Sequence, residues 1–272
     1  MSLEIKCMYP RRVNSDMVQC LPLVKYSGVI ELVETEESLD RAMSEIAKEK
    51  ILGFDTETRP NFNKGKQHPV SILQLGGENK VWVIRLEPLA SRLSEIFSIL
   101  ENPSVKKSGI AVQGDIKALK VLSPFNPAGF VDVAHSTTKI GVINTGMRNL
   151  AALFFGERLS KAAQLTNWAS ETLTSKQLEY AATDAWMSRR LFLAVRSALD
   201  DNRIAIEPEP EPASEHFSVR EFIKKMVRKG LKKLLGKKSE AKDGKRPRGY
   251  GRPRGGRGRG GRPQNSGRPK KR

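Results

Sequence analysis

Cysteine is nearly absent from this chain of 272 residues: Cys7 and Cys20 are the only two, and no CxxC spacing pairs them. They offer no basis for a disulfide framework or a cysteine zinc site, and read as two reduced thiols that behave as small hydrophobes. Long apolar runs are missing too. No stretch of 18 residues is continuously apolar, and the opening MSLEIKCMYPRRVN lacks the hydrophobic segment of a secretory signal. The expectation is an intracellular, cytoplasmic protein with no transmembrane segment. Acidic residues are scarce only at one end. The formal net charge is +18, but residues 219–272 hold 22 Lys/Arg and 3 Asp/Glu, leaving 26 basic and 27 acidic residues before them. A nearly neutral body therefore precedes a basic tail, which suits a polyanion such as nucleic acid, although anionic lipid surfaces attract such segments as well.

What the chain does contain is alternation. Residues 1–27 show no clear periodicity and read as an extension. From Gly28 to Ile206, short β-rich runs alternate with helical ones, which predicts an α/β domain. Strands are expected at 28–33, 51–56, 70–75 and 80–86, with Gly76-Gly77 as a hairpin signal. Helices are expected over 36–49, near 89–100, over 115–122, and from a Thr174/Gln177 capping box to about Leu199. EPEPEP then marks a stiff linker over 207–216. Beyond it, Val219, Phe222, Ile223, Met226, Val227, Leu231, Leu234 and Leu235 recur at helical spacing among lysines and arginines, predicting a basic amphipathic helix over 217–236. Residues 237–272 are Gly, Arg, Lys and Pro with almost no apolar content, the composition of a disordered tail.

The chemistry-bearing residues are carboxylates. In ILGFDTET, Asp55 and Glu57 are two apart, so strand alternation puts both on one face at the end of a run that reads as buried. Two close negative charges need compensation, which a divalent cation supplies. Asp115 follows the apolar run 108–112 at the start of a helix, where a lone aspartate is ordinary. Tyr180 and Asp184 are four apart on the last predicted helix, hence on one face. Each motif is weak alone, and the ordered set is not: strand-end Asp-x-Glu, Asp after a later strand, Tyr-x-x-x-Asp on a final helix.

That set resembles the three exonuclease motifs of the DEDD superfamily of 3′→5′ exonucleases, in its tyrosine branch. In the histidine branch a His stands five positions before the last Asp, where this chain has Glu179. The flanking GKQHPVSILQL, GIAVQGD and LTNWASETLTSKQLEYAATDA are similar to the Werner syndrome helicase exonuclease domain and, more distantly, to ribonuclease D. The resemblance covers roughly residues 28–200 and implies a ribonuclease H-like fold, a mixed sheet flanked by helices. It implies that Asp55, Glu57, Asp115 and Asp184 bind two Mg²⁺ or Mn²⁺ ions, that Tyr180 hydrogen-bonds the attacking water, and that nucleoside monophosphates leave from a 3′ end. It also suggests Thr56 and Gln113 as substrate contacts.

Smaller features have blander readings. Asp132 reads as a structural aspartate in preference to a satellite carboxylate, His68 and His135 as structural or surface residues, Trp168 as core, and Arg148, Arg158 and Lys161 as surface charge. In the tail, Arg254, Arg257, Arg259 and Arg262 sit among glycines, a pattern suited to sequence-tolerant contact with single-stranded DNA or RNA. The rival expectation is a nucleic-acid-binding or ribosome-associated protein that uses the exonuclease fold as a scaffold. The presence of all four carboxylates argues against it.

Overall fold

The computed structural model describes residues 8–61, 68–200 and the backbone of 205–206, all within the unit Met1–Pro212. Cys7, the linker, the amphipathic segment and the tail arginines 254, 257, 259 and 262 lie outside the described residues. In chain order the elements are β1 (Met8–Tyr9), α1 (Ser15–Gln19), β2 (Val29–Val33), α2 (Glu36–Ile46), β3 (Ile51–Thr58), β4 (Val70–Gly76) and β5 (Lys80–Arg85). A short 3₁₀ turn at Ala90–Arg92 leads into α3 (Leu93–Glu101). There follow β6 (Lys106–Gly109), α4 (Gln113–Leu122), β7 (Phe130–Asp132), α5 (Val133–Lys139), α6 (Met147–Phe155), α7 (Ser175–Asp200) and β8 (Ala205–Ile206).

Six strands form one mixed sheet in the order β2-β5-β4-β3-β6-β7, in which β4 alone runs against the rest. The expected hairpin joins β4 to β5, and Gly77 N–H donates to Lys80 O at 2.8 Å to close it. Period-two alternation sorts side chains between two layers. Leu52, Phe54, Leu73, Leu75, Trp82 and Ile84 face α2, α3 and α4, whereas Ile72, Val81 and Val83 pack with Ala181, Ala182 and Ala185 of α7. The α/β, ribonuclease H-like architecture read from the sequence is the one observed.

The decisive packing is that of α7 on the sheet. Gly76, Gly53 and Ser108 are in register across β4, β3 and β6, forming a row of small residues. The helix backbone lies directly in that row. A Cβ added at Gly53 would stand 1.8 Å from Ala185 O, and one at Gly76 would stand 3.0 Å from the same oxygen. The Ser108 hydroxyl lies 3.1 Å from Leu52 O and 3.3 Å from Ser188 O, within hydrogen-bonding reach of strand and helix alike. Arg189 Nε donates to Ile51 O at 3.1 Å from the following turn. At its start the helix has the predicted capping box: Gln177 N–H donates to Thr174 Oγ1 at 3.3 Å, and Thr174 N–H donates to Gln177 Oε1 at 3.0 Å.

Residues 9–27, aperiodic in sequence, are folded onto this body. Val13 and Val18 are buried with α6 and α7, Ile143 N–H donates to Arg11 O, and Val24 N–H donates to Arg158 O. Their order comes from contacts made far along the chain, which local periodicity does not encode. One test follows from the row of small residues: Gly53→Ala is expected to destabilise the protein by roughly 1–3 kcal/mol, read as a lowered urea midpoint, because backbone on both sides must move to admit one methyl group.

Candidate active site

Strand β3 extends to Thr58, so Asp55 and Glu57 lie inside it, on the same face as Gly53 and therefore beneath α7. Asp184 is adjacent to Ala185, the residue seated on Gly53, and is 9% exposed. Tyr180 lies one helical turn earlier, and its hydroxyl hydrogen-bonds the Asp184 carboxylate. The buried ring of Trp168 backs it with centroids 6.0 Å apart. Asp115 arrives from the other side of β3, in the first turn of α4. The Thr56 hydroxyl, on the opposite face from Asp55, donates to Asp115 Oδ1 at 2.5 Å.

Asp184 and Asp115 act electrostatically on the strand acids Asp55 and Glu57. Asp55 lies well above the ordinary carboxylate range, through burial and then through the charges of Asp184 and Asp115. Glu57 is pushed up to about 9 by burial, followed by Asp55, Asp184 and Asp115. Asp184 is pushed up to about 7 by burial, against the lowering effect of Tyr180. Asp115 is raised by burial and held back by Thr56. Tyr180 itself is raised by burial first, then by Asp184 and Glu57, so its hydroxyl stays protonated as a donor. A cluster that resists ionisation for want of positive charge, with oxygen donors alone, fits hard divalent cations such as Mg²⁺ or Mn²⁺. Among the described residues no group of three or more acidic, His or Cys side chains stands close enough together to hold a metal ion as the side chains are placed.

A family model described as 3′-5′ exonuclease matches residues 30–200, more than half of the chain. The chain belongs to that family. This 3′-5′ exonuclease domain is 31% identical over 144 residues to the bifunctional 3′-5′ exonuclease/ATP-dependent helicase WRN of Mus musculus, covering 50% of this chain and 10% of that protein. It is 28% identical over 171 residues to ribonuclease D of Acidiphilium cryptum, covering 62% of this chain and 43% of the other. The chain thus spans less than half the length of either relative. The crystal structure of the Aedes aegypti Nibbler EXO domain shares the fold, with a TM-score of 0.58 at 21% identity over 67% of this chain and 94% of that one. The family generally works with divalent metal ions.

The exonuclease domain treats the secondary sequence candidates differently. The Thr56 hydroxyl donates to Asp115 and so braces that carboxylate. Gln113 is exposed on the first turn of α4. Trp168 is core, with no exposed surface. Arg148 and Arg158, read from sequence as surface charge, instead tie loops together by donating to Leu159 O and Leu21 O at 3.3 Å each. Lys161 and His135 are exposed, and His68 is half-buried.

Asp132 has a structural task more specific than its sequence context suggests. Its Oδ1 caps α5 by accepting from Ala134 N–H at 2.9 Å, and also accepts from Ala111 N–H at 3.2 Å. Ala111 has φ 56°, a left-handed conformation unusual for a residue with a side chain. The run 108–112, expected to continue as apolar strand, therefore turns sharply after Gly109, and the turn aims the start of α4 so that Asp115 reaches the site. A weak signal was present, since an Asp just before a helical run is a capping residue.

Two outcomes are expected. Asp132→Ala should lower stability by about 1 kcal/mol through loss of the cap, measurable by thermal unfolding. Because the raised carboxyls stay protonated in the folded state while those of the unfolded chain ionise near pH 4, their contribution is fully present below that pH. It is lost as pH rises through about 7 for Asp184 and about 9 for Glu57. In EDTA the melting temperature should therefore fall between pH 5 and pH 8, and millimolar Mg²⁺ should restore it more at pH 8 than at pH 5.

Proposed function

We propose that the protein is a metal-dependent 3′→5′ exonuclease that hydrolyses the terminal phosphodiester of a nucleic acid strand and releases nucleoside monophosphates. The observation that carries this reading is that Asp184 and Asp115, from two helices far apart in the chain, both raise Asp55 and Glu57 on the strand between them. In this reading Asp55, Glu57, Asp115 and Asp184 hold two Mg²⁺ or Mn²⁺ ions. Such ions, when bound, acidify a water and stabilise the charge that develops on a leaving oxygen.

The chain's own residues do the rest. Asp55 and Glu57 present their oxygens from a strand paired with β4 at both positions, so their separation is fixed by backbone geometry. Asp115 is held by Thr56, and Asp184 by the seating of its helix. Tyr180 remains protonated throughout the physiological range, so it orients the attacking water by hydrogen bonding and does not act as a general base. Trp168 fixes the plane of its ring.

The basic tail adds sequence-tolerant affinity for the strand, with Arg254, Arg257, Arg259 and Arg262 as phosphate and base contacts. The ribonuclease D name of one relative and the arginine-glycine pattern both favour RNA, and the helicase relative favours DNA.

Asp184→Asn is expected to abolish release of mononucleotides from a 3′-labelled strand in Mg²⁺ while leaving the circular dichroism spectrum unchanged; retained hydrolysis in that variant would refute the reading. Truncation after Ile206 should weaken strand binding and flatten its salt dependence, with hydrolysis of short substrates preserved. Matched DNA and RNA oligonucleotides digested side by side report which sugar the site accepts.

A further inference from the structure

Gln74 is fully buried on β4, and in the described structure neither its amide nitrogen nor its amide oxygen has a hydrogen-bond partner. Buried amides are costly to leave unpaired, and native proteins rarely do so without a reason. The surroundings offer little: Ile72 and Gly76 flank it on its own face of the strand, Val83 is its partner on β5, and Ala181, Ala182 and Ala185 of α7 cover the same layer. On the other side its register partner is Asp55. Residues directly opposite in an antiparallel pair have Cβ atoms about 4.5–5.5 Å apart, within the span of a glutamine amide and a short carboxylate.

We propose that Gln74 is a positioning residue, whose amide donates to the ionised Asp55 carboxylate once a divalent cation is bound and sets the angle at which Asp55 meets that cation. The inference rests on the two-metal reading above and extends it to a residue outside the four acids and Tyr180. One donor is already in place, the Thr56 N–H, which lies 3.0 Å from Asp55 Oδ1. A carboxylate that ligates a cation keeps lone pairs for a second donor, and the idle Gln74 amide stands directly across the register from it. Hydrogen-bond partners of a ligating carboxylate orient it and are worth roughly 10- to 100-fold in metal affinity.

The test uses the full chain as wild type, Gln74→Leu and Gln74→Met, the latter matching the length of glutamine without its N–H groups. Mn²⁺ binding is measured by titration calorimetry, and thermal unfolding is measured in EDTA. Both variants are expected to bind Mn²⁺ roughly 10- to 100-fold more weakly, while their cation-free melting temperatures equal or exceed that of wild type because an unpaired buried amide has been removed. At saturating Mn²⁺ the loss should fall on kcat, with KM for the strand unchanged. Unaltered Mn²⁺ affinity in both variants overturns the role of Gln74 alone. So does a fall in affinity that merely tracks a lowered cation-free melting temperature, since that pattern belongs to packing. If wild type itself binds no Mn²⁺, the metal reading fails and this inference fails with it.

Discussion

The carbonyl oxygen of Ala185 occupies the place where a side chain at Gly53 would have to be. Everything else about the cleft depends on that approach. A helix seated on larger side chains would stand farther from the sheet and carry Asp184 away from the strand acids. Here the row Gly76, Gly53 and Ser108 removes the spacer, and Asp184 comes close enough to perturb Asp55 and Glu57. The same closeness is electrostatically unfavourable without a cation, so the fold must hold like-charged groups together against their repulsion. Ser108 and Arg189 do this by linking α7 to the strands, and the Thr174/Gln177 box does it by fixing where the helix begins.

Around this seat, each remaining acid has its own restraint. Thr56 holds Asp115 from the opposite face of β3, so one strand positions three carboxylates by using both of its faces. Asp132 holds the left-handed Ala111 turn that swings α4 into place. Arg85, at the end of β5, donates to Ser170 O at 2.7 Å and to Glu171 O, and so fastens the loop that delivers Trp168 to the back of Tyr180. The site is thus a set of short, ordinary interactions that separately constrain elements far apart in the chain.

Much of this was legible before the fold was known. Asp55 and Glu57 share a face because strands alternate, Tyr180 and Asp184 share one because helices return every 3.6 residues, and both statements need only neighbouring positions. The capping box at Thr174 was readable for the same reason. Less legible were the elements between Ser123 and Leu173, where β7, α5 and α6 are short and their periodicity covers too few residues to stand out. Illegible were Ala111, whose conformation is imposed by Asp132, and Gln74, whose significance is that nothing pairs with it. Gly76 was read as part of a turn, and its task as a seat for α7 depends on a helix more than a hundred residues later.

By itself the sequence determined the α/β class, the strands and helices with a clear local period, the segregation of positive charge into the last fifth of the chain, and the candidate acids. These are properties of composition and local period, which survive without any knowledge of what packs where. The tertiary structure decided that the acids meet, that Thr56 serves Asp115, that Arg148 and Arg158 bind loops instead of solvent, and that Gln74 lies idle beside Asp55. Each of those depends on register between strands and on how closely two backbones approach, and such distances are set by residues at both ends of a contact, which no single stretch of chain contains.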